Sequence, residues 1–324
     1  MTHALNRRHW LTRAAGRLAY AYPASAVALS LGSAKAAEPA PEPLGRFRYG
    51  FNTACVRERK LTLDELVDLV VAAGYDAIEP WIDEIQRFEQ SGGSLEALAK
   101  RCADAGLEVA SAIGFAAWIV DDDTQRRRGL EQARRDMELV RRLGGSRIAA
   151  PPAGAADANS AKISLLAAAE RYGELLEAGA AIGVTPQVEV WGFSPNLSRL
   201  GEAVFVAVES GRDDACVLPD VYHLYKGGSS FAGLGRLSRS TLQCFHVNDY
   251  PSDPPREKIG DAQRVYPGDG VAPLDEILRT IAKVNDQCVL SLELFNREYQ
   301  RQDPHVVART GLAKMKAATA QALK

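Results

Sequence analysis

The chain has 324 residues, of which 46% are hydrophobic and 25% charged, with a formal net charge of −2. This is the composition of a globular protein long enough for one large domain. The sequence has no run of about 20 apolar residues that would predict a membrane span, and no basic stripe that would predict nucleic-acid binding.

The first 36 residues are predicted to be a Tat-type signal peptide. Residues 6–11 read NRRHWL, an Ala-rich stretch follows at 14–34, and residues 34–36 (AKA) resemble a small-residue cleavage site. Such a segment would bring the precursor to the Tat export machinery and place the protein in the periplasm or outside the cell, with no stable membrane anchor. The alternative interpretation is a disordered basic N-terminus.

The segment also changes the charge of the remaining chain. Residues 1–36 contain five Lys and Arg and no acids, so cleavage after Ala36 would leave a formal charge of −7. A mildly acidic protein is a poor match to a nucleic-acid binder. The Pro-rich residues 37–45 are predicted to be a linker, and residues 46–324 the folded domain.

The five cysteines do not suggest a disulfide framework or a zinc finger. Their number is odd and no pair has metal-finger spacing. Cys216, Cys244 and Cys288 each open an apolar segment. We therefore predict that these three are buried core thiols.

From residue 47 onward, strand-like and helix-like segments alternate. The predicted strands are residues 47–54, 75–80, 107–115, 146–151, 186–192, 216–223, 244–249 and 289–295. The predicted helices are residues 63–73, 94–105, 121–143, 161–182, 197–209, 231–240, 273–284 and 304–322. Alternation of this kind indicates a parallel sheet.

Eight strand–helix pairs in about 280 residues favour a closed α/β fold, the (β/α)8 TIM barrel, over an open doubly wound sheet. No Gly-x-Gly-x-x-Gly turn follows the first predicted strand. Its absence weakens the dinucleotide-binding alternative. In a (β/α)8 barrel, the active site lies at the carboxyl ends of the strands.

Four predicted strands carry a metal-ligand type near that end. These residues are Glu189, Asp220, His246 and Glu293. If the four strands are parallel neighbours, three carboxylates and one imidazole converge on one point. This ligand set suits one divalent ion such as Mn, Co, Mg or Zn.

The motifs around these residues resemble the xylose-isomerase-like TIM-barrel superfamily, the sugar phosphate isomerase/epimerase family, over roughly residues 49–324. The resemblance is carried by Glu189 with Trp191, Asp220 with His223 and the glycines 227–228, His246 with Asp249, Glu293, the loop 264–270 (RVYPGDG) and the segment 74–79 (GYDAIE). Each motif alone is weak, but together they occur in the family's order.

The resemblance implies roles for these residues. Glu189, Asp220, His246 and Glu293 would bind the metal, and the two glutamates would also be catalytic, facing opposite sides of the reacting carbon. The substrate-binding candidates are His223, Arg264, Trp191 and Asp249. Trp191 could equally be barrel packing, and Asp249 could orient His246 instead. Glu79 and Asn52 are weaker candidates for the mouth of the barrel.

The implied activity is a metal-dependent sugar isomerase or epimerase. It would abstract a proton next to a metal-bound carbonyl and pass through an enediolate. The substrate would be a small sugar or keto-sugar. Members of such families often form homo-oligomers, but the sequence shows no interface signature.

Two alternatives stay open. A lyase, dehydratase or hydrolase acting on keto-sugars, keto-inositols or 3-keto-glycosides would use the same ligands, and a non-catalytic periplasmic sugar-binding protein would need fewer of them. One departure weakens a simple ketose epimerase, because Pro195 stands where such enzymes carry a further substrate-binding Glu. The apurinic endonucleases of the superfamily need many histidines, whereas only three lie beyond residue 36.

Overall fold

The computed structural model describes residues 47–324. The predicted signal peptide (1–36) and linker (37–45) lie outside the described residues. Within residues 47–324, every helix is too short or too polar to cross a membrane.

Eight short parallel strands form the centre of the fold. They are β1 (Arg48–Asn52), β2 (Ala77–Glu79), β3 (Glu108–Val109), β4 (Arg147–Ala150), β5 (Thr185–Glu189), β6 (Cys216–Leu218), β7 (Cys244–Val247) and β8 (Val289–Leu292). Each lies within a predicted strand or starts one residue before it. The register is parallel in every ladder, which confirms the predicted sheet type.

Helices connect the strands. They are α1 (Leu63–Ala73), α2 (Ile82–Gln90), α3 (Leu95–Asp104), α4 (Asp123–Arg142), α5 (Leu165–Ile182), α6 (Leu200–Glu209), α7 (Val221–Lys226), α8 (Leu274–Val284), α9 (Arg297–Gln300) and α10 (Pro304–Ala322). Three 3₁₀ helices cover Thr53–Arg59, Phe231–Arg236 and Asp261–Gln263.

Backbone hydrogen bonds join the strands into a barrel. Ladders run in the order β3-β2-β1-β8-β7 and β4-β5-β6. The two groups meet where Ala149 N–H donates to Ala112 O at 2.8 Å, and again where His246 N–H donates to Pro219 O at 3.0 Å. These contacts close the circle, and the predicted TIM barrel is confirmed.

Local signals explain the helices whose bounds were predicted best. Helix α1 begins where the Thr62 backbone N–H donates to the Glu65 carboxylate at 2.8 Å, and ends at Gly74, whose φ of +85° suits glycine. Helix α10 begins at Asp303, whose carboxylate accepts from His305 N–H at 2.7 Å.

Other predicted elements differ from the structure. The sequence analysis missed helix α2 because the apolar face of this helix is short. Its start also lacks a usual N-cap residue: the backbone N–H of Trp81 donates to the Glu84 carboxylate at 3.0 Å. The helix predicted at 231–240 is only a 3₁₀ segment, since glycines interrupt it. The strand predicted at 107–115 is mostly an apolar loop beyond Val109.

The barrel interior has an apolar layer below a polar one. The apolar layer consists of Ala77, Ala110, Ile113, Ala149, Leu218, Cys244 and Val289, all buried. Because strand side chains alternate with a period of two, residues two positions later face the same interior. These are Glu79, His246 and Ser291 on β2, β7 and β8. All five cysteines are free and buried, which confirms the predicted core thiols.

Tyr172 on α5 ties the outer helices to the barrel, and its hydroxyl provides a test of this connection. The hydroxyl lies 2.8 Å from Pro186 O and 3.0 Å from Cys216 O, and accepts from Cys216 N–H at 3.2 Å. We expect Tyr172→Phe to lower the free energy of unfolding by about 1–3 kcal/mol, because buried backbone groups lose their partner. Urea denaturation followed by circular dichroism would measure the loss.

Tyr225→Phe is the matched control. Tyr225 stacks on Tyr250 with ring centroids 3.8 Å apart, and its hydroxyl has no hydrogen-bond partner among residues 47–324. This variant should change the free energy of unfolding by less than about 0.5 kcal/mol. Equal losses in the two variants would contradict the role given to Tyr172.

Candidate active site and metal centre

Three predicted metal ligands meet at the carboxyl ends of neighbouring strands. One ligand atom each from Asp220, His246 and Glu293 lies within 4.8 Å of the other two, and all three residues are buried. The His246 Nδ1 atom is 3.2 Å from Glu293 Oε2 and 3.9 Å from Asp220 Oδ2. Nδ1 has no hydrogen-bond partner among residues 47–324. The imidazole therefore points an uncommitted nitrogen toward two carboxylates, as a divalent-metal site requires.

The fourth predicted ligand, Glu189, occupies the same pocket but is not in this close group. It ends β5 and is 3% exposed, and within the described part of the chain its Oε2 atom has no hydrogen-bond partner. Burial raises the pKa of its carboxyl, the positive His246 opposes that rise, and the charges of Glu293 and Glu79 add to it. Glu189 therefore has a free oxygen and a tendency to hold a proton, which suits an acid–base group.

Arg264 is buried against the two ligand carboxylates. Its Nη1 donates to Asp220 Oδ2 at 3.0 Å and to Glu293 Oε2 at 2.7 Å. Its guanidinium also lies 4.5 Å above the Tyr222 ring and 4.9 Å from the Phe295 ring. The structure thus brings Arg264 into the predicted site, where it offsets negative charge.

His223 lies between two donors and is held neutral. Its Nε2 is 3.0 Å from Arg264 Nη2, and its Nδ1 is 3.3 Å from the Gly192 backbone N–H. Burial and the Arg264 charge lower the pKa of His223 to about 4. A neutral ring next to Arg264 can exchange one hydrogen bond with a substrate oxygen without adding charge to the pocket.

Glu79 lies behind His246 and is the main supporting residue that the sequence did not assign. Its Oε2 accepts from His246 Nε2 at 2.9 Å, from Asn52 Nδ2 at 3.0 Å and from the Ser291 hydroxyl at 2.7 Å. A carboxylate that binds the far nitrogen of a histidine fixes the tautomer that leaves Nδ1 free for metal. A glutamate at the end of an apolar strand was the available signal.

Two asparagines complete the support. Asn52 also donates to Glu293 Oε1 at 3.1 Å, and Asn248 Nδ2 donates to Asp220 Oδ2 at 2.8 Å. Asn248 was missed by the sequence analysis, although its place two residues after His246 in an apolar segment was a signal. Both amides orient ligand carboxylates.

The carboxylate of Asp249, predicted to bind substrate or to orient His246, is bonded to backbone N–H groups rather than to His246. Its Oδ1 accepts from Tyr250 and Ala272 N–H at 2.8 and 2.9 Å, and its Oδ2 from Gly268 and Gly270 N–H at 3.0 Å each. Both oxygens are therefore committed to the loop that follows Arg264. Asp249 is a structural anchor of that loop.

Trp191 lies at the mouth of the barrel rather than in its core. It is partly exposed, and its ring centroid is 5.3 Å from that of Phe193 and 6.1 Å from that of Phe115. This position argues against barrel packing and leaves one side of the ring available to a ligand at the mouth.

The charges of the pocket fit a divalent cation. Four buried carboxylates, those of Glu79, Glu189, Asp220 and Glu293, face one permanent cation, Arg264. In the metal-free pocket a proton on His246 offsets a further charge, because the neighbouring carboxylates hold its pKa well above the ordinary value even though burial lowers it. A metal bound at Nδ1 would replace that proton. Buried negative charge without compensation is costly. Together with the uncommitted His246 Nδ1, this excess suits an ion such as Zn²⁺ or Mn²⁺.

The role of Glu79 in metal binding can be tested by substitution. We expect Glu79→Gln to weaken binding of one divalent metal about tenfold, because the charged hydrogen bond that orients His246 is lost. Chelator-competition titration with Zn²⁺ would measure the change. Asp136→Asn is the control, since Asp136 is a buried carboxylate on α4 that contacts Gln86. If both variants bound metal as the wild type does, Glu79 would not be a positioning residue.

Burial of neutral His223 should make the stability of the protein depend on pH. The folded-state pKa of His223, about 4, is below its ordinary value of 6.5. Between these values the unfolded chain binds a proton that the folded chain does not, so stability falls as the pH drops. In the presence of chelator, we expect His223 to account for about 3 kcal/mol of destabilisation between pH 7 and pH 4.

The comparison variant is His223→Asn, whose amide oxygen can still accept from Gly192. Urea titrations of both proteins at pH 7 and pH 4 would isolate this contribution. The stability advantage of the wild type over the variant should shrink by about that amount at pH 4. An advantage of the same size at both pH values would contradict a neutral buried His223.

Comparisons with known proteins identify the family of this chain. Residues 67–318 match the family model described as xylose isomerase-like TIM barrel. The inosose isomerase of Bacillus licheniformis is 26% identical over 190 residues, covering 58% of this chain and 68% of that protein. The inosose isomerase of Bacillus velezensis is 25% identical over 253 residues, covering 78% and 89%.

A solved structure shows the same fold. The IolI protein with a bound zinc atom superposes with a TM-score of 0.77 at 21% identity, over 85% of this chain and 98% of that one. The family model spans more than half of the sequence, and it covers seven of the eight strands. The chain therefore belongs to the xylose isomerase-like TIM barrel family.

Proposed function

We propose that this protein is a divalent-metal-dependent isomerase or epimerase of a keto-sugar or keto-cyclitol. The observation that carries the proposal is the convergence of Asp220, His246 and Glu293, with His246 Nδ1 uncommitted and Glu189 in the same pocket. The curated relatives are inosose isomerases, which act on ketones of cyclitols, and this supports the substrate class.

The proposed reaction moves a proton next to a carbonyl. A divalent ion held by Asp220, His246 and Glu293, with Glu189 completing the set, would polarise that carbonyl. Glu189 and Glu293 would form the acid–base pair: the one that is ionised would take the proton from carbon, and the other, protonated, would supply a proton on the opposite face for epimerisation. For isomerisation, the group that took the proton would return it at the neighbouring carbon. The raised pKa and free Oε2 of Glu189 suit the protonated partner.

His223 and Arg264 would hold substrate oxygens. The Arg264 guanidinium and the neutral His223 ring sit side by side at 3.0 Å on one edge of the ligand cluster. Arg264 now donates to two ligand carboxylates, and it could share those bonds with a substrate hydroxyl or carbonyl. Elimination from a keto-glycoside starts with the same proton removal, so the mass of the product distinguishes a lyase from an isomerase.

We also propose that the protein acts outside the cytoplasm. The proposed location rests on the twin-arginine pattern in residues 6–11. The five free, buried thiols are compatible with it, because a Tat substrate folds before export and needs no disulfide.

The function is tested by solvent exchange. Purified protein loaded with Zn²⁺ or Mn²⁺ would be incubated with an inosose in heavy water, and deuterium at the carbon next to the carbonyl would be followed by NMR. We expect exchange with metal and loss of at least about 100-fold after chelation, because the carbonyl is then no longer polarised.

Glu293→Gln should abolish exchange and weaken metal binding, while circular dichroism shows the same fold. Gln keeps the shape of the side chain but loses the charge that ligates metal and carries a proton. Asp136→Asn, which changes a carboxylate on the outer helix α4, should keep wild-type exchange. Full activity of Glu293→Gln would show that the site assignment is wrong.

A further inference from the structure

The mouth of the barrel has two chemically different halves. The half formed after β6, β7 and β8 carries Asp220, His223, Arg264 and Glu293, which can hold oxygens and a metal. On the other half, above the strand-end carboxylates Glu79 and Glu189, the loops after β2, β3 and β5 carry aromatic side chains. Residues 151–153, after β4, read Pro-Pro-Ala and add no polar side chain.

Five aromatic rings form a continuous arc, which we call the aromatic arc. It consists of Phe295, Trp81, Phe115, Trp191 and Phe193, in this order. Successive ring centroids are 6.2, 5.0, 6.1 and 5.3 Å apart. These are contact distances for aromatic pairs. The members come from four separate chain segments, so tertiary folding assembles one surface.

Both ends of the arc meet the residues proposed to grip the substrate. The Phe193 ring is 5.6 Å from the His223 ring, and the Phe295 ring is 4.9 Å from the Arg264 guanidinium. A ligand held by His223 and Arg264 would therefore lie against the arc. This continuity identifies the arc as part of the ligand site rather than a separate docking surface.

The arc is open to solvent. Phe115 is 39% exposed and Phe193 45% exposed, and none of the five members is buried. The Trp81 indole N–H is already used, donating to Asn52 Oδ1 at 3.1 Å. Arg57 lies over one face of Trp81, 4.0 Å from the ring centroid. The remaining ring faces of the arc are apolar and offer few hydrogen bonds, so they match the flat face of an apolar ring better than the hydroxyl rim of a polyol.

We propose that the substrate is a keto-sugar or keto-cyclitol ring that carries a flat apolar substituent, such as an aryl group in glycosidic linkage, and that the aromatic arc binds this substituent. The inference rests on the proposed function and specifies the substrate class of the same site. The polar half holds the oxygenated ring, and the apolar half takes the substituent. Pro195 fits this division, because it places no carboxylate beside Phe193.

Binding of two matched glycosides tests the proposal. Isothermal titration calorimetry would compare phenyl β-D-glucopyranoside with methyl β-D-glucopyranoside on the Zn²⁺-loaded protein. We expect the phenyl compound to bind at least about tenfold more tightly, because its ring buries apolar surface against the arc. Phe193→Ala and Phe115→Ala should each reduce this ratio toward one.

Phe205→Ala is the matched control. Phe205 is 36% exposed on α6, outside the arc, and its truncation should leave the ratio unchanged. Equal affinities for the two glycosides, binding of neither, or a ratio that Phe193→Ala and Phe115→Ala do not change would each overturn the proposal. A further outcome would overturn it too: a wild-type dimer that Phe193→Ala disrupts while the affinity ratio stays unchanged. The arc would then be the contact surface for a second copy of the chain.

The glycoside-binding test can fail without contradicting the proposed function. Proton exchange with an inosose tests the metal and the acid–base groups and does not need the arc. A protein that passes that exchange test but binds both glycosides equally would keep the proposed function and lose only this substrate class.

Discussion

The structure depends on keeping several carboxylates buried at one end of the barrel. Glu79, Glu189, Asp220 and Glu293 lie at or below 3% exposure, where an unpaired charge is costly. Arg264 supplies one permanent positive charge and bonds to two of them. The remaining excess of negative charge raises the pKa of His246 and can be offset by a divalent cation. Nearly every polar contact of the pocket follows from this requirement.

The parallel barrel makes such a concentration of charge feasible. Its interior below the site is filled mainly by apolar side chains, with the buried Gln187–Ser111 pair as the polar exception, so the carboxylates of the site lie at the carboxyl ends of the strands. Backbone N–H groups and side-chain amides then donate hydrogen bonds to the individual oxygens of these carboxylates. Asp220 caps α7, because its Oδ1 accepts from the His223 backbone N–H at 2.7 Å, and Asn52 donates to both Glu79 and Glu293. These bonds fix the ligands before any metal binds, which lowers the ordering cost of binding.

The loops around the site have two separate tasks. Asp249 fixes the loop 264–272 by accepting from three of its backbone N–H groups, those of Gly268, Gly270 and Ala272, and this loop positions Arg264 over the ligand carboxylates. The loops after β2, β3 and β5 instead present aromatic rings to solvent. One side of the mouth is therefore built for charge and the other for apolar contact. Within one fold, that division is a means of choosing among substrates that share the same carbonyl chemistry.

The sequence by itself determined the fold class, most helices and the candidate ligands. Strand period, glycine stops and caps are local signals, and an Asp or His at the end of an apolar segment is visible without coordinates. Tertiary structure alone decided which polar groups meet. Glu79 supports His246 across 167 residues, Asp249 turns to its own loop, Glu189 stays outside the close ligand group, and the aromatic arc joins four segments. Such contacts depend on barrel closure and rotamers, which no local pattern encodes.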